Sequence, residues 1–152
     1  MINNQTDQLI SLLNNHADVT DKLKDLTSDI RNAIREGSVK NLDALVKLQA
    51  AVLMRYSGSE KKITGMFQHL KSNLGVASDD FNISDLKGTI DKDSLDRLNK
   101  AKERLLNSME DLTKTNATNR LLLKSRLDRI EFTLKLIEKD GHENKSVIDD
   151  FV

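Results

Sequence analysis

The chain contains three histidines, the residue type most often used as a metal ligand or as an acid–base catalyst near neutral pH. His16, His69 and His142 lie on three different segments, and no paired His, Asp or Glu spacing surrounds any of them. A zinc site needs about three or four converging ligands. The sequence therefore predicts no metal site, and His16, which falls in an apolar stripe, is expected to be a partly buried helix residue.

A second candidate for metal chemistry is the stretch DKDSLD at residues 91–96, whose alternating acids resemble the start of a calcium-binding loop. Such a loop needs an oxygen ligand at its fifth position and a glycine at its sixth. Leu95 and Asp96 stand there instead. Capping of a helix explains these acids better, with Asp91 as the N-cap and Asp93 in the first turn.

The remaining polar residues do not form a catalytic pattern. No Gly-rich phosphate loop is present, and no serine or threonine has a paired base in its sequence context. The basic residues at 61–62 and 97–104 are interleaved with acidic or apolar positions, which is typical of solvated helix faces. Aromatic residues, on which single-stranded nucleic acids stack, make up only 3% of the chain. The sequence predicts no enzyme, no cofactor and no nucleic-acid partner.

The composition favours helices that pack through aliphatic stripes. The chain has 152 residues, no proline, no cysteine, 32% charged residues and a net charge of zero. Proline is the strongest helix breaker, and a chain without cysteine fits a reducing compartment. No apolar stretch approaches the roughly 18 residues that span a bilayer, and the N-terminus does not resemble a signal peptide. We expect a cytoplasmic all-α protein without membrane insertion.

Apolar spacing predicts three long helices, at about residues 6–36, 39–74 and 92–139. Gly37 is expected to end the first helix and Ser38 to cap the second, which indicates a tight turn between antiparallel helices. Gly58 and Gly65 weaken the second helix, and we expect a bend near Gly58. An acidic connector at 75–91 is expected to be held to the bundle by Phe81, Ile83 and Leu86, with one short helical turn starting at Ser84.

These elements predict an elongated antiparallel bundle of three long helices, of which the third is the longest. Residues 1–140 are expected to form one helical domain, followed by a mobile tail at 141–152. The stripe of the first helix comprises Leu9, Leu12, His16, Val19, Leu23, Leu26, Ile30 and Ala33, widened by Leu13 and Ile34. The stripe of the second comprises Leu42, Leu45, Gln49, Val52, Tyr56, Ser59, Ile63, Met66, Leu70 and Leu74.

The third helix changes character at two asparagines. Its apolar stripe comprises Leu95, Leu98, Leu105, Met109 and Leu112, and Asn116 and Asn119 continue it. Nine of the residues from 121 to 137 are then apolar: Leu121, Leu122, Leu123, Leu127, Ile130, Phe132, Leu134, Leu136 and Ile137. At about 100° per residue they cover more than half of the helix circumference, so one stripe cannot bury them all. We interpret this segment as a partner-binding face and the asparagines as its boundary. The alternatives are that the other helices sandwich the segment and that the asparagines face solvent.

The order Asn116-x-x-Asn119 followed by Leu122, Leu123, Leu127, Ile130 and Leu134 resembles the C-terminal helix of the FlgN family, the flagellar type III export chaperones for hook–filament junction proteins. The paired N-terminal helices and the turn in IREGSVKNLDALVKLQAAVL resemble that family as well. RYSGSE, at residues 55–60, departs from it, since such helices carry continuous charge there.

This resemblance implies an escort function without catalysis. The implied partners are hook-associated proteins of the first and third kinds, whose C-terminal helical segment would be kept from premature assembly, and a component of the export gate. The implied binding residues are Asn116, Asn119, Leu122, Leu123, Leu127, Ile130, Leu134 and Ile137. Two alternatives stay open: a structural homo-oligomeric coiled-coil scaffold, and a homodimer of the free protein closed by the same apolar face.

Overall fold

The computed structural model describes residues 2–75 and 83–140 of the chain. They form three α-helices, α1 at Ile2–Glu36, α2 at Val39–Asn73 and α3 at Lys92–Asp140, together with a short 3-10 helix at Ile83–Leu86. Within the described ranges there is no β-strand, which confirms the predicted all-α class. These residues thus form four helices, namely the three long ones that the apolar spacing predicts and the short helical turn predicted in the connector, which begins at Ile83, one residue before the predicted Ser84.

Two predictions on chain organisation stay predictions. The chain comprises two compact units, residues 1–116 and 117–152. This division does not test the elongated bundle or the single domain over 1–140. The predicted mobile tail at 141–152 and the anchoring residue Phe81 lie outside the described residues.

The turn between α1 and α2 forms as the sequence predicts. Gly37 adopts a φ of 70°, a conformation that glycine reaches without a steric penalty. Its N–H donates to the Ile34 carbonyl at 3.2 Å, and the Ser38 N–H donates to the Ala33 carbonyl at 3.1 Å. The Ser38 side chain then accepts from the Asn41 N–H at 3.4 Å. These bonds satisfy groups at the end of α1 and at the start of α2, so the reversal needs only two residues.

Polar contacts between the helices in residues 1–116 show whether the helices run parallel or antiparallel. The His16 ring bonds to the Ser59 hydroxyl at 2.9 Å, and the Asn73 amide donates to Gln5 at 2.9 Å, so α2 runs antiparallel to α1. Arg97 pairs with Asp7, and Arg104 pairs with Asp18 further along α1. The first part of α3 therefore runs parallel to α1.

Two apolar clusters form the core of residues 1–116. The first joins all three helices to the 3-10 segment through Leu9, Leu13, Leu70, Ile83, Leu86, Ile90, Leu98 and Ala101. The second joins the three helices further along through Val19, Leu23, Leu26, Val52 and Leu112. The burial of Ile83 and Leu86 confirms that the connector is held to the helices by these two side chains.

The stripe of α2 is confirmed at every position, since all ten predicted residues are buried or half-buried. The stripe of α1 is also confirmed, since Leu12 and Ile34 are half-buried and the other eight predicted residues are buried. It is broader than predicted because Thr6, Ala17, Thr20 and Thr27 are also buried. The Thr20 hydroxyl donates to the His16 carbonyl at 2.7 Å, and the Thr27 hydroxyl donates to the Leu23 carbonyl at 2.8 Å. A threonine that bonds to its own helix can be buried at little polar cost.

α2 stays a single α-helix through Gly58 and Gly65. No side chain or backbone approaches within 4 Å of the place where a Cβ on Gly58 would stand. The weak helix-forming residues of RYSGSE therefore do not interrupt the helix, and the bend near Gly58 stays a prediction.

The N-terminus of α3 has the predicted cap. The Ser94 N–H donates to the Asp91 carboxylate at 3.0 Å, and the Leu95 N–H donates to the Asp91 carbonyl at 3.0 Å. Hydrogen bonds from the Ser94 side chain and then from its backbone N–H lower the pKa of Asp91, because they stabilise the charged carboxylate. Asp91 thus caps α3 and Asp93 lies in its first turn, as expected.

Candidate partner-binding face

The candidate site lies on the part of α3 that follows Asn116. Residues 117–140 continue one α-helix, because no proline or glycine interrupts them and their polar residues pair locally. Lys135 lies 3.8 Å from Glu131, one turn earlier, and the Thr133 hydroxyl donates to the Arg129 carbonyl at 2.9 Å. A continuous helix fixes the direction of each apolar side chain along the segment.

Four of the predicted binding residues share one side of this helix, which we name the front face: Leu127, Ile130, Leu134 and Ile137. At about 100° per residue, they fall within a sector of about 80°. Leu127 is 64% exposed and Ile130 is 51% exposed, whereas Leu134 and Ile137 are half-buried. The backbones of Leu122 and Leu123 belong to the same helix, and their side chains lie outside the described residues.

A second apolar surface lies on the opposite side of the same helix. We name it the back face, and it comprises Leu121, Leu136 and Phe132, of which the last is 63% exposed. The binding-site prediction leaves out these three residues. The count of nine apolar residues from 121 to 137 contains the signal for them, since so many side chains exceed a single stripe.

The two asparagines at the start of the segment have different surroundings. Asn119 is 8% exposed, as the interpretation of a polar residue in an apolar seam predicts. Asn116 is exposed, as the solvent-facing alternative predicts. The division between the two compact units falls directly after Asn116. The change of character that the sequence shows at this point therefore coincides with a change in packing.

Charged side chains of both signs border the front face. At about 100° per residue, Lys124 and Glu131 lie along one edge of it, and Arg129 lies between its other edge and Leu136 of the back face. All three are exposed. The electrostatic potential at this face is therefore mixed in sign. The apolar side chains, more than the charges, determine what the face can bind.

The histidines do not contribute to a site on this segment. His16 is 3% exposed in α1, where its ring lies 4.4 Å from that of Tyr56. This burial lowers the pKa of His16, and nearby Glu60 partly opposes the shift. His69 is exposed on α2, and His142 lies outside the described residues. His16 is thus a buried helix residue, as predicted, and is more deeply buried than expected.

Neither a metal cluster nor a membrane span is found in the part of the chain that the structure describes. Over residues 2–75 and 83–140, no three His, Asp or Glu side chains come together as metal ligands. None of the helices in these ranges combines the length and the apolar character needed to cross a bilayer.

The described residues thus combine long helices, two apolar core clusters within residues 1–116 and an exposed apolar face on the later part of α3, which is the architecture of an all-helical protein. The model of the FlgN protein family matches residues 1–146, nearly the whole chain, and the chain belongs to this family. No curated protein and no solved structure matches the chain. Family membership confirms the resemblance that the paired asparagines and the leucine pattern indicate.

Proposed function

We propose that this protein is a cytoplasmic, non-enzymatic chaperone of flagellar type III export. It binds the C-terminal helical segment of hook-associated proteins of the first and third kinds, prevents their premature assembly and brings them to the export gate. Membership of the FlgN family supports the flagellar role. The observation that carries the proposal is the exposure of Leu127 and Ile130 on a well-formed helix.

The physical basis of binding is the burial of the front face. An amphipathic helix of the client covers Leu127, Ile130, Leu134 and Ile137, with Leu122 and Leu123 at its start. An interface of roughly 600 to 800 Å² per side is of ordinary size for a specific complex and permits micromolar or tighter binding. The apolar residues of the front face follow one another at intervals of three or four positions. The client helix therefore needs apolar residues at the same intervals.

The proposed test is a calorimetric titration with the C-terminal segment of a hook-associated protein from the same genome. We expect one-to-one binding at micromolar or tighter affinity. Leu127→Asp should weaken binding by at least about 30-fold, because it places a charge in the centre of the interface. The helical content by circular dichroism should stay unchanged.

The back face provides a matched control for this experiment. Phe132→Asp introduces the same charge on the same helix at a site of nearly equal exposure, 63% against 64% for Leu127. We expect it to change client affinity less than about threefold, as for residues outside an interface core. Equal losses from both variants would contradict the assignment of the client to the front face, and no binding by the unmodified protein would contradict the chaperone function.

A second candidate function is that of a structural homo-oligomeric coiled coil. It is favoured by one observation, namely that apolar side chains are exposed on both faces of α3 between residues 121 and 136. Light scattering tests it on the free protein. A stable oligomer that Leu134→Asp converts to a monomer, together with no client binding, would favour the scaffold. A homodimer that the client dissociates would instead fit the chaperone.

A further inference from the structure

A cleft of about 510 Å³ lies between α1 and α2, far along the sequence from the front face. Its apolar lining comes from Leu12 and Val19 of α1. On the side of α2 it is lined by Gly58 and Ser59, the small residues of RYSGSE. Since a Cβ on Gly58 would meet nothing within 4 Å, the missing side chain leaves open space between the two helices.

Three cations line this cleft without an ion-pair partner among the described residues: Lys22, Arg55 and Lys62. Among the described lining residues the single acid is Asp18, and its carboxylate is bound by Arg104 of α3. The cleft therefore presents an uncompensated positive charge beside an apolar surface, although the chain as a whole has a net charge of zero.

The cleft is elongated. A second, shallower depression of about 410 Å³ shares Leu12 and Lys62 with it and continues to Gln8 and Met66. Together the two follow α1 from Gln8 to Lys22, which is a length of about 21 Å at the rise of an α-helix. A compact anion would occupy only a fraction of this length. The shape fits a chain segment of a protein.

We propose that this cleft binds an acidic, amphipathic segment of a partner protein. Carboxylates of the partner pair with Lys22, Arg55 and Lys62, and its apolar side chains lie on Leu12 and Val19. Charge complementarity carries this choice of partner, because three unpaired cations next to apolar side chains favour acids interspersed with apolar residues. The proposal is independent of client binding, which uses the front face of α3.

The first test uses a defined probe, a fluorescein-labelled peptide of about 14 residues that alternates pairs of Glu and Leu and spans about 21 Å as a helix. Fluorescence anisotropy should report binding that weakens as salt rises to about 0.15 M, since the ion pairs are near the surface. The same peptide with Lys in place of Glu should not bind. Binding of both peptides, or of neither, would overturn the proposal.

Charge-reversal variants then test whether the probe binds in the cleft. We expect Arg55→Glu/Lys62→Glu to weaken binding at least tenfold, about fivefold for each reversed charge. Lys61→Glu is the matched control, because Lys61 is the sequence neighbour of Lys62 and does not line the cleft. It should leave affinity within about twofold. Equal losses from Lys61→Glu and Lys62→Glu would show general charge attraction and overturn the proposal.

Gly58→Leu tests the shape of the cleft without removing a charge. The leucine has room, and it replaces a glycine, which is a poor helix former, so the melting temperature should stay equal or rise. Probe affinity should fall at least fivefold because the side chain occupies the cleft. Unchanged affinity of the probe for Gly58→Leu would overturn the proposal. In a competition experiment, the proposal would also be overturned if citrate displaced the probe at the same concentrations as the unlabelled peptide does. Leu127→Asp should leave probe binding intact, which separates this site from the client face.

Discussion

Two stretches of α3 have the same apolar spacing and different surroundings. In residues 92–116, Leu98 is fully buried, and Ala101 and Leu112 are buried with it in the core clusters. In residues 117–140, Leu127 and Ile130 are exposed although they continue the same stripe. The helical spacing therefore determines which side of a helix is apolar, and only the neighbouring elements determine whether that side is covered.

This difference separates stability from binding along one helix. The buried side chains of the first stretch, such as Leu98, exclude water in the folded protein, so their truncation leaves a cavity. Met109, a stripe residue of the same stretch, is an exception, since it is 39% exposed. Leu127 and Ile130 of the second stretch already contact water, so their truncation removes little from the folded state. A surface kept apolar without benefit to folding is typical of a surface used for binding.

The largest expected effect is a loss of stability on truncation in the first stretch. Leu98→Ala should lower the free energy of unfolding by about 3 kcal/mol, because Leu98 is fully buried. Leu127→Ala should lower it by less than about 0.5 kcal/mol. Urea denaturation followed by circular dichroism measures both values. Similar losses from the two variants would mean that residues 117–140 are covered in solution, and the comparison would fail.

A second test concerns the cap that begins the first stretch. Asp91→Ala removes the acceptor of the Ser94 N–H and should lower the melting temperature by about 3 °C. Asp128→Ala removes an exposed carboxylate from the second stretch and should change the melting temperature by less than about 1 °C. Thermal unfolding of the two variants gives the difference. An Asp91→Ala protein as stable as the Asp128→Ala protein would show that the cap does not hold the start of α3.

The third test uses one arginine from each stretch. Arg104 contacts Asp18 and Asp21 and donates to the Asn14 carbonyl at 3.3 Å, so it joins α3 to α1. The bond to Asp18 raises the pKa of Arg104, which stays charged. Arg104→Gln should destabilise the protein by about 0.5 to 1 kcal/mol, since the contact is partly exposed. The loss of stability in Arg104→Gln should be smaller in high salt. Arg129→Gln should cause no loss of stability. Denaturation of both variants at two salt concentrations measures these differences.

The smallest expected effect is a pH dependence of stability that arises from His16 of the first unit. The folded protein holds the pKa of His16 below 6.5, so the unfolded chain binds a proton more readily. His16 therefore leaves stability intact above pH 6.5 and reduces it as the pH falls below 6.5. His16→Gln should flatten the decline in melting temperature between about pH 6.5 and 5, and His69→Gln should not. An unchanged slope in His16→Gln would contradict this assignment.

Much of the fold can be predicted from the sequence, because the spacing of apolar residues within one helix indicates which of its residues are buried. The stripe of α2 is predicted at every position, including the polar Gln49 and Ser59. The turn at Gly37 and the cap at Asp91 are also predicted, since each depends on a few adjacent residues. The burial of Thr20 and Thr27 in α1 is missed, because their hydroxyls bond within the helix and nothing in the apolar pattern shows it.

The site is predicted less completely than the fold. The front face follows from spacing, and the exposure of Leu127 and Ile130 agrees with a binding role. The prediction of the binding site leaves out the back face, because a heptad pattern identifies only one stripe and Phe132 lies outside it. The cleft beside Gly58 depends on which helix faces RYSGSE, and a single sequence does not contain that pairing.

The tight turn at Gly37 and Ser38 also has a kinetic consequence. The connection from α2 to α3 runs over residues 74–91, and its greater length adds about 2 kcal/mol of loop-closure entropy relative to a two-residue turn. The hairpin of α1 and α2 therefore has the lower contact order and should form first. Both of its helices are also synthesised before α3. We therefore expect the third helix to pack on a hairpin that is already formed.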